Sequence, residues 1–190
     1  VLREYLGHVQ PAIVAHLGEP AVYEPTQYVA LDAATQRNIA LVVNSDEGSG
    51  QFTLCNAIDG TVTGMGARLL KKWLVRPLRN SFTIQRRQDL VSLFVRDVTL
   101  MARAEKLFSQ ISDVERIVGR IALLRATIAD YRALKHSLVY IEELRQLLLP
   151  LAEQSELAYE LLEALASYDQ LHQLLAQSIY DDQGEEWLIK

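Results

Sequence analysis

The chain of 190 residues contains little of what marks a secreted protein or a membrane protein. Its single cysteine, Cys55, has no partner for an internal disulfide, which suits a reducing compartment. Its apolar runs are short and broken by charges, and Arg3 and Glu4 interrupt the N-terminus before a signal peptide could form. These absences favour a cytoplasmic protein without a membrane span.

Motifs for nucleotide binding, metal binding and catalysis are also missing. No Gly-x-x-x-x-Gly-Lys-Ser/Thr sequence occurs, and Gly48-Ser49-Gly50 lacks the strand and the lysine of a phosphate loop. His8 and His16 are two helical turns apart, too far to be ligands at i and i+4. Paired acids such as Glu142 and Glu143 are adjacent on a helix and do not face each other. We therefore predict no catalytic residue, no cofactor site and no metal site in this chain.

What the chain does have is a helical composition. Hydrophobic residues make up 49% of it, and only nine glycines and five prolines occur. Apolar residues recur at spacings of three or four along most of its length, as in amphipathic helices. We therefore predict an all-α fold, a multi-helical bundle with at most short extended segments.

Caps and stop signals divide the first half of the chain into short helices. A side-chain oxygen at the N-cap accepts backbone N–H bonds of the first turn, and glycine or proline ends the helix. On this basis we predict helices over Leu2–Leu17, from Asp32 to Leu41, over Thr53–Ile58, and from Thr63 to Pro77. Gly64 and Gly66 are unfavourable in a first helical turn. We expect another backbone to pack closely there, with Trp73 as the anchor of the junction.

The second half is predicted to form longer helices. Apolar periodicity gives a helix that Ser81 caps, and helices that begin at Val98 (ending at Ile111), at Asp113 and at Ile128 (ending at Leu149). Pro150 is expected to break or restart the last of these. The segment Leu157–Ile179 forms one helix or two, and the tail from Glu185 to Lys190 is expected to be extended.

Charge is distributed unevenly, although the net value is only −5. Basic residues prevail between Arg68 and Lys106, and acidic residues prevail from Glu142 onward. Solvated helix faces explain this asymmetry most simply, and a basic surface for DNA is the sharper alternative. The residues that would make such a DNA or partner contact are Lys71, Lys72, Arg76 and Arg79.

A dense group of charges lies at the start of the helix that follows Asp113. Arg116 and Arg120 share one face of that helix, whereas Glu115 and Arg120 are too far apart for an i,i+4 bridge. We predict that this group forms an ion-pair network that ties the helix to a neighbour. A contact with DNA phosphate is the alternative.

Five blocks of residues carry a family resemblance. The most specific is Ile58-Asp59-x-Thr61-x-Thr63-x-Met65-Gly66-x-Arg68-Leu69-Leu70-x-x-Trp73-Leu74-x-x-Pro77-Leu78. The others are Val1-Leu2-Arg3-Glu4-Tyr5-Leu6, Leu31-Asp32-x-x-Thr35-x-x-Asn38-x-x-Leu41, Ile84-x-x-Arg87-x-Asp89-x-Val91 and Asp113-Val114-Glu115-Arg116-Ile117-x-Gly119-Arg120-Ile121-Ala122-Leu123. Together they resemble the core domain of MutS proteins, which recognise mismatched DNA. The chain departs from that pattern at Ile39-Ala40, where Leu-Glu is usual, and at Ala126–Asp130, which lacks the common Arg-Pro-Arg-Asp.

The resemblance implies which residues form the structural signature of this domain. They are Asp32, Thr35, Asn38, Asp59, Thr63, Met65, Gly66, Arg68, Leu69, Leu70, Trp73, Pro77, Asp113, Glu115 and Arg116. None of them carries catalysis, so the implied role of this set is to shape and pack the helices.

The resemblance also implies a domain organisation. Residues 1–25 would be the helix and linker leaving the connector domain, and residues 26–190 the first part of the core or lever domain. The chain begins in the middle of a helical pattern, so we expect a piece of a longer protein, truncated before the clamp. The mismatch-binding, clamp and ATPase domains, with ATP and Mg, would lie outside it.

The implied function is mechanical. This segment would couple the ATPase domain to the DNA-binding domains of a homodimeric parent protein, without catalysis of its own. The implied partners are the other domains of the parent, mismatched double-stranded DNA, and MutL through the full-length protein. Two alternatives stay open: a non-specific DNA-binding module that uses the basic helix from Arg68 to Arg79, and a docking surface for MutL.

Overall fold

Helices account for the regular structure of this protein. A computed structural model describes residues 2–9, 25–44, 48–165 and 167–179. Within these ranges ten α-helices follow one another, and the β-type pairing is limited to an isolated antiparallel bridge between Tyr28 and Leu78. The prediction of an all-α fold is confirmed. None of the described helices has the length and apolarity needed to cross a lipid bilayer.

The first five described segments are short, and the last three of them begin at capping residues. They are α1 (Leu2–Val9), a 3-10 turn (Pro25–Gln27), α2 (Ala33–Asn38), α3 (Leu54–Ile58) and α4 (Gly64–Val75). The predicted caps Asp32 and Thr63 each accept a backbone N–H bond from the residue three positions later, at 2.6 and 3.0 Å. Thr53, predicted as the first residue of its helix, is also a cap and accepts the Asn56 N–H at 3.1 Å. The predicted continuation of α1 to Leu17 lies outside the described residues.

The remaining six described helices form the packed body. They are α5 (Ser81–Arg96), α6 (Val98–Gln110), α7 (Val114–Ala122), α8 (Ile128–Ala152), α9 (Glu156–Ala164) and α10 (Asp169–Ser178). The segment from Leu157 to Ile179 therefore lies in two helices. The predicted extended tail from Glu185 lies outside the described residues.

The predictions for Ser81 and for Pro150 are wrong. Ser81 is the first helical residue of α5, and the cap is Asn80, whose Oδ1 accepts the Thr83 N–H at 3.1 Å. Pro150 does not break α8, which continues to Ala152. A proline this close to a C-terminus removes little of the hydrogen-bond ladder, and the buried side chain of Leu151 holds the last turn in place.

The long helix α8 carries two separate hydrophobic clusters. Its C-terminal half contributes Leu147, Leu148 and Leu151 to a cluster with Ala104 of α6 and Ala158 and Leu162 of α9, against which α5 also packs. Its N-terminal half contributes Leu134 and Leu138 to a cluster with Ile117 of α7 and Leu175 of α10. We call these the C-terminal and N-terminal clusters of α8. One helix is therefore common to both parts of the core.

A buried serine fixes the connection between α6 and α7 on α8. The hydroxyl of Ser137 is fully buried, donates to the Ala133 carbonyl at 2.7 Å and accepts the backbone N–H of Ser112 at 3.0 Å. Ser112 lies between two helices, so its N–H is not part of a helical hydrogen-bond pattern, and the Ser137 hydroxyl provides its acceptor. Without that acceptor the N–H would lose a hydrogen bond, which is costly where water has little access.

Two helices end on residues in the left-handed region. Ala40 follows α2 with φ 46°, and Leu124 follows α7 with φ 54°. In both turns the N–H of the left-handed residue and the N–H of the residue after it donate to carbonyls of the last helical turn, as in a Schellman motif. The turn at Ala40 is the reason that α2 ends at Asn38 rather than at the predicted Leu41.

Candidate functional site

Arg68 joins α4 to the start of α7. Its two terminal nitrogens, Nη1 and Nη2, each donate to an oxygen of Asp113 at 2.8 Å, and its Nε donates to Oε2 of Glu115 at 3.1 Å. The planar guanidinium thus binds one carboxylate in bidentate fashion and reaches a second. These contacts connect residues 45 and 47 positions apart in the sequence.

Gly64 leaves the space that Asp113 occupies. A Cβ at position 64 would lie 3.0 Å from Oδ2 of Asp113, and a Cβ at position 66 would lie 3.0 Å from the capping oxygen of Thr63. The prediction that another backbone packs against these glycines is wrong, because the neighbouring atoms belong to side chains. A methyl group at Gly64 would press on the carboxylate that Arg68 binds.

Asp113 remains ionised because its partners stabilise the charged form. The hydrogen bonds from Arg68 are the largest cause that lowers its pKa to about 2, against a smaller opposing effect of burial. The same contact raises the pKa of Arg68. Asp113 also caps α7 by accepting the Arg116 N–H at 3.2 Å. The ion-pair network predicted for this group of charges is present, and α4 is the neighbour that it reaches.

Arg120 belongs to a second network rather than to the first. It pairs with Asp130 at the start of α8, and its Nε donates to Oδ2 at 3.0 Å. Asp130 also forms a capping box with Thr127. The bonds from Arg120, and then those from Thr127, lower the pKa of Asp130 to about 2. The capping box explains how α8 begins at Ile128 although Ala126–Asp130 carries no proline.

Two arginines of α5 link it to α4 and to α9. The Arg87 guanidinium carbon lies 3.8 Å from the centre of the Trp73 ring of α4, a cation–π contact. Arg86 lies with Nε 3.1 Å from Glu156 and Nη2 2.6 Å from Glu160, both of α9, without the angles of hydrogen bonds. Trp73 is 42% exposed. It therefore anchors α4 to α5 on the surface rather than at the Gly64–Gly66 turn.

These contacts close a ring of five helices. Arg68 joins α4 to α7, the N-terminal cluster and Arg120 join α7 to α8, and the C-terminal cluster joins α8 to α9. Arg86 then joins α9 to α5, and Arg87 joins α5 back to α4. Each helix of the ring is therefore in contact with two others of the ring.

The remaining signature residues shape turns and helix ends. Asp59 accepts the N–H and the hydroxyl of Thr61 at 3.0 and 2.6 Å, and these bonds lower its pKa. The Pro77 carbonyl accepts the Val29 N–H at 2.8 Å. Thr35 donates its N–H to Asp32, and Asn38 ends α2. Met65 and Leu70 are half-buried, and Leu69 is exposed.

The cations predicted to contact DNA or a partner lie on the surface. Lys71, Lys72, Arg76 and Arg79 are all exposed. The charge of Lys71 makes a small contribution to the lowered pKa of Asp59, so that lysine lies near an acid. Arg68 is not part of this surface, because the acids of α7 bind it.

Reactive groups are scarce in the part of the chain that the structure describes. No three His, Cys, Asp or Glu side chains there are grouped so that they could hold a metal ion. Cys55 is a buried free thiol on α3. The side-chain contacts described above join one helix to another.

Ser137 and Arg86 were not singled out from the sequence, whereas Arg87 belongs to a block that carries the family resemblance. A signal existed for Ser137, since a polar residue between Leu134 and Leu138 occupies a core position of an amphipathic helix. None existed for Arg86, since its partners lie on a helix far along the chain.

Comparison of the sequence with known proteins identifies its relatives. The family model described as MutS domain III matches residues 34–187. The DNA mismatch repair protein MutS of Symbiobacterium thermophilum is 37% identical over 178 residues, which cover 94% of this chain and 20% of the relative. The DNA mismatch repair protein MutS of Synechococcus elongatus is 34% identical over 95% of this chain and 20% of its own length. The chain thus spans about a fifth of the length of these curated relatives.

Proposed function

We propose a mechanical role for this chain, which belongs to the MutS family of DNA mismatch repair proteins and matches their domain III. In the full-length protein the segment would couple an ATPase domain to the domains that hold DNA, and ATP, Mg and mismatched DNA would bind outside it. Homodimer formation and contact with MutL are proposed for the full-length protein only. Its buried free thiol suits a cytoplasmic setting.

The observation that carries this proposal is the closed ring of helices. The helix common to both clusters, α8, has 25 residues and is about 37 Å long at 1.5 Å per residue. Packed helices behave as stiff bodies, and stiff bodies carry displacement from one site to another. A movement imposed on α7 would therefore reach α9 and α5 through α8.

We expect Asp113→Asn to reduce coupling in the full-length protein while leaving each activity in place. Asparagine still caps α7, but it no longer pairs as a charge with Arg68. ATP turnover without DNA and affinity for a mismatched duplex should stay within about twofold. The stimulation of ATP turnover by that duplex should fall at least fivefold, which is in the range of typical coupling factors.

Arg116→Gln is the matched control. Arg116 is 68% exposed and lies 3.5 Å from the same carboxylate, three positions away along the chain. Its removal should leave the stimulation near the wild-type value. Equal behaviour of the two variants, or full stimulation in Asp113→Asn, would contradict the proposed coupling.

The exposed cations of α4 favour one competing function, non-specific binding of DNA. Under the mechanical proposal the isolated chain should show no ATP turnover above background and no preference for a mismatched duplex. Binding titrations at two salt concentrations separate the two functions, because each phosphate contact makes affinity fall with salt. Salt-sensitive binding that the triple variant Lys71→Gln, Lys72→Gln, Arg79→Gln abolishes would favour the DNA-binding module.

A further inference from the structure

A cleft opens between α8 and the start of α10. Its volume is about 290 Å³, and its apolar lining includes Leu138, Val139 and Ile141 of α8. Leu138 is buried, whereas Val139 is 43% exposed, so the cleft has a closed floor and an accessible edge. Tyr168, which is 41% exposed, also lines the cleft. A space of this size fits one or two side chains rather than a nucleotide.

Carboxylates surround this apolar floor. Glu142 and Glu143 of α8 and Asp169 of α10 all line the cleft, together with His172. Glu142 is partly neutralised, because its Oε1 accepts from Gln146 at 2.8 Å and lies 3.6 Å from Nη1 of Arg145. Asp169 accepts only the Ser167 hydroxyl, at 2.6 Å, and Glu143 has no ion pair or hydrogen bond with a described residue.

We propose that this cleft binds a protein segment in which an arginine or lysine stands beside an apolar residue. The aliphatic stem of such a side chain would pack on the apolar floor, and its cationic head would reach the carboxylates of Glu143 and Asp169. The exposed Tyr168 ring offers a cation–π surface at the same edge. The negative rim disfavours phosphate-bearing and acidic ligands. This binding activity is independent of the proposed coupling role.

A labelled peptide tests the cleft directly. The probe is a fluorescein-labelled heptapeptide of alternating leucine and arginine, titrated with the 190-residue chain while fluorescence anisotropy is recorded. We expect saturable binding that weakens at least fivefold in the double variant Glu143→Gln, Asp169→Asn. Val139→Arg, which supplies a cation to the cleft from within the chain, should abolish it. Glu163→Gln on α9, an exposed acid outside the cleft, is the control and should bind as the wild type does.

Three results would overturn the proposal. One is unchanged affinity in the double variant, with thermal unfolding showing that it is folded. Another is equal binding of a peptide in which glutamine replaces every arginine, which would mean an apolar contact only. The third is self-association of the chain, seen by sedimentation and lost in Val139→Arg, which would assign the cleft to a second copy.

Discussion

Replacing Leu148 with alanine should lower the free energy of unfolding by about 3 kcal/mol, in the range of other buried leucines cut to alanine. Leu148 is 6% exposed and packs in the C-terminal cluster of α8, between residues of α6 and α9. Removal of its side-chain carbons leaves a cavity that well-packed neighbours fill only in part. Urea unfolding followed by circular dichroism measures the loss.

The adjacent Leu149 provides the control. It is on the same turn of α8 but is 42% exposed, so Leu149→Ala should cost less than about 1 kcal/mol. Similar losses at both positions would show that the C-terminal cluster is not packed as described. A wild-type transition that separates into two steps would also count against the mechanical proposal, since it would mean that the halves of α8 unfold independently.

Gln146→Pro should uncouple the two clusters of α8. Position 146 is exposed and lies between Ile141 of the N-terminal cluster and Leu147 of the C-terminal cluster. Proline there removes the backbone N–H and clashes with the preceding turn, at a cost of about 3 kcal/mol or more. In the full-length protein, stimulation of ATP turnover by mismatched DNA should be lost while DNA affinity is largely kept.

Gln146→Ala isolates the effect of the backbone. It removes only the bond from the Gln146 side chain to Glu142, and alanine favours helix. Its melting temperature and its ATP stimulation should therefore stay close to those of the wild type. A Gln146→Pro protein that melts and responds to DNA like Gln146→Ala would show that α8 need not be continuous.

Local features of the fold could be predicted from the sequence because local chemistry determines them. Asp32 and Thr63 each cap a helix as predicted, since a cap needs only its own side chain and the next three residues. The wrong prediction that Ser81 is a cap also comes from local chemistry. Asn80 and Ser81 are both good caps, and only packing decides between neighbouring candidates.

Contacts between distant helices could not be predicted in the same way. The charges around Asp113 indicated an ion-pair network, but nothing in the sequence singled out Arg68 as the partner among the basic residues between Arg68 and Lys106. The course of the chain through α5 and α6 brings α4 and α7 together. The prediction for Pro150 was wrong for a related reason. The effect of this proline depends on how close it lies to the end of α8 and on the burial of Leu151, and the local sequence shows neither.

The shared core of α8 has a consequence for synthesis on the ribosome. Ala104 of α6 belongs to the C-terminal cluster, but that cluster is complete only when Leu162 of α9 has been made. At about 5–20 residues per second, the roughly 60 intervening residues take about 3–12 seconds. During that interval the part of the cluster that α9 covers stays exposed. Nascent chains of this protein should therefore be most dependent on chaperones just before α9 emerges.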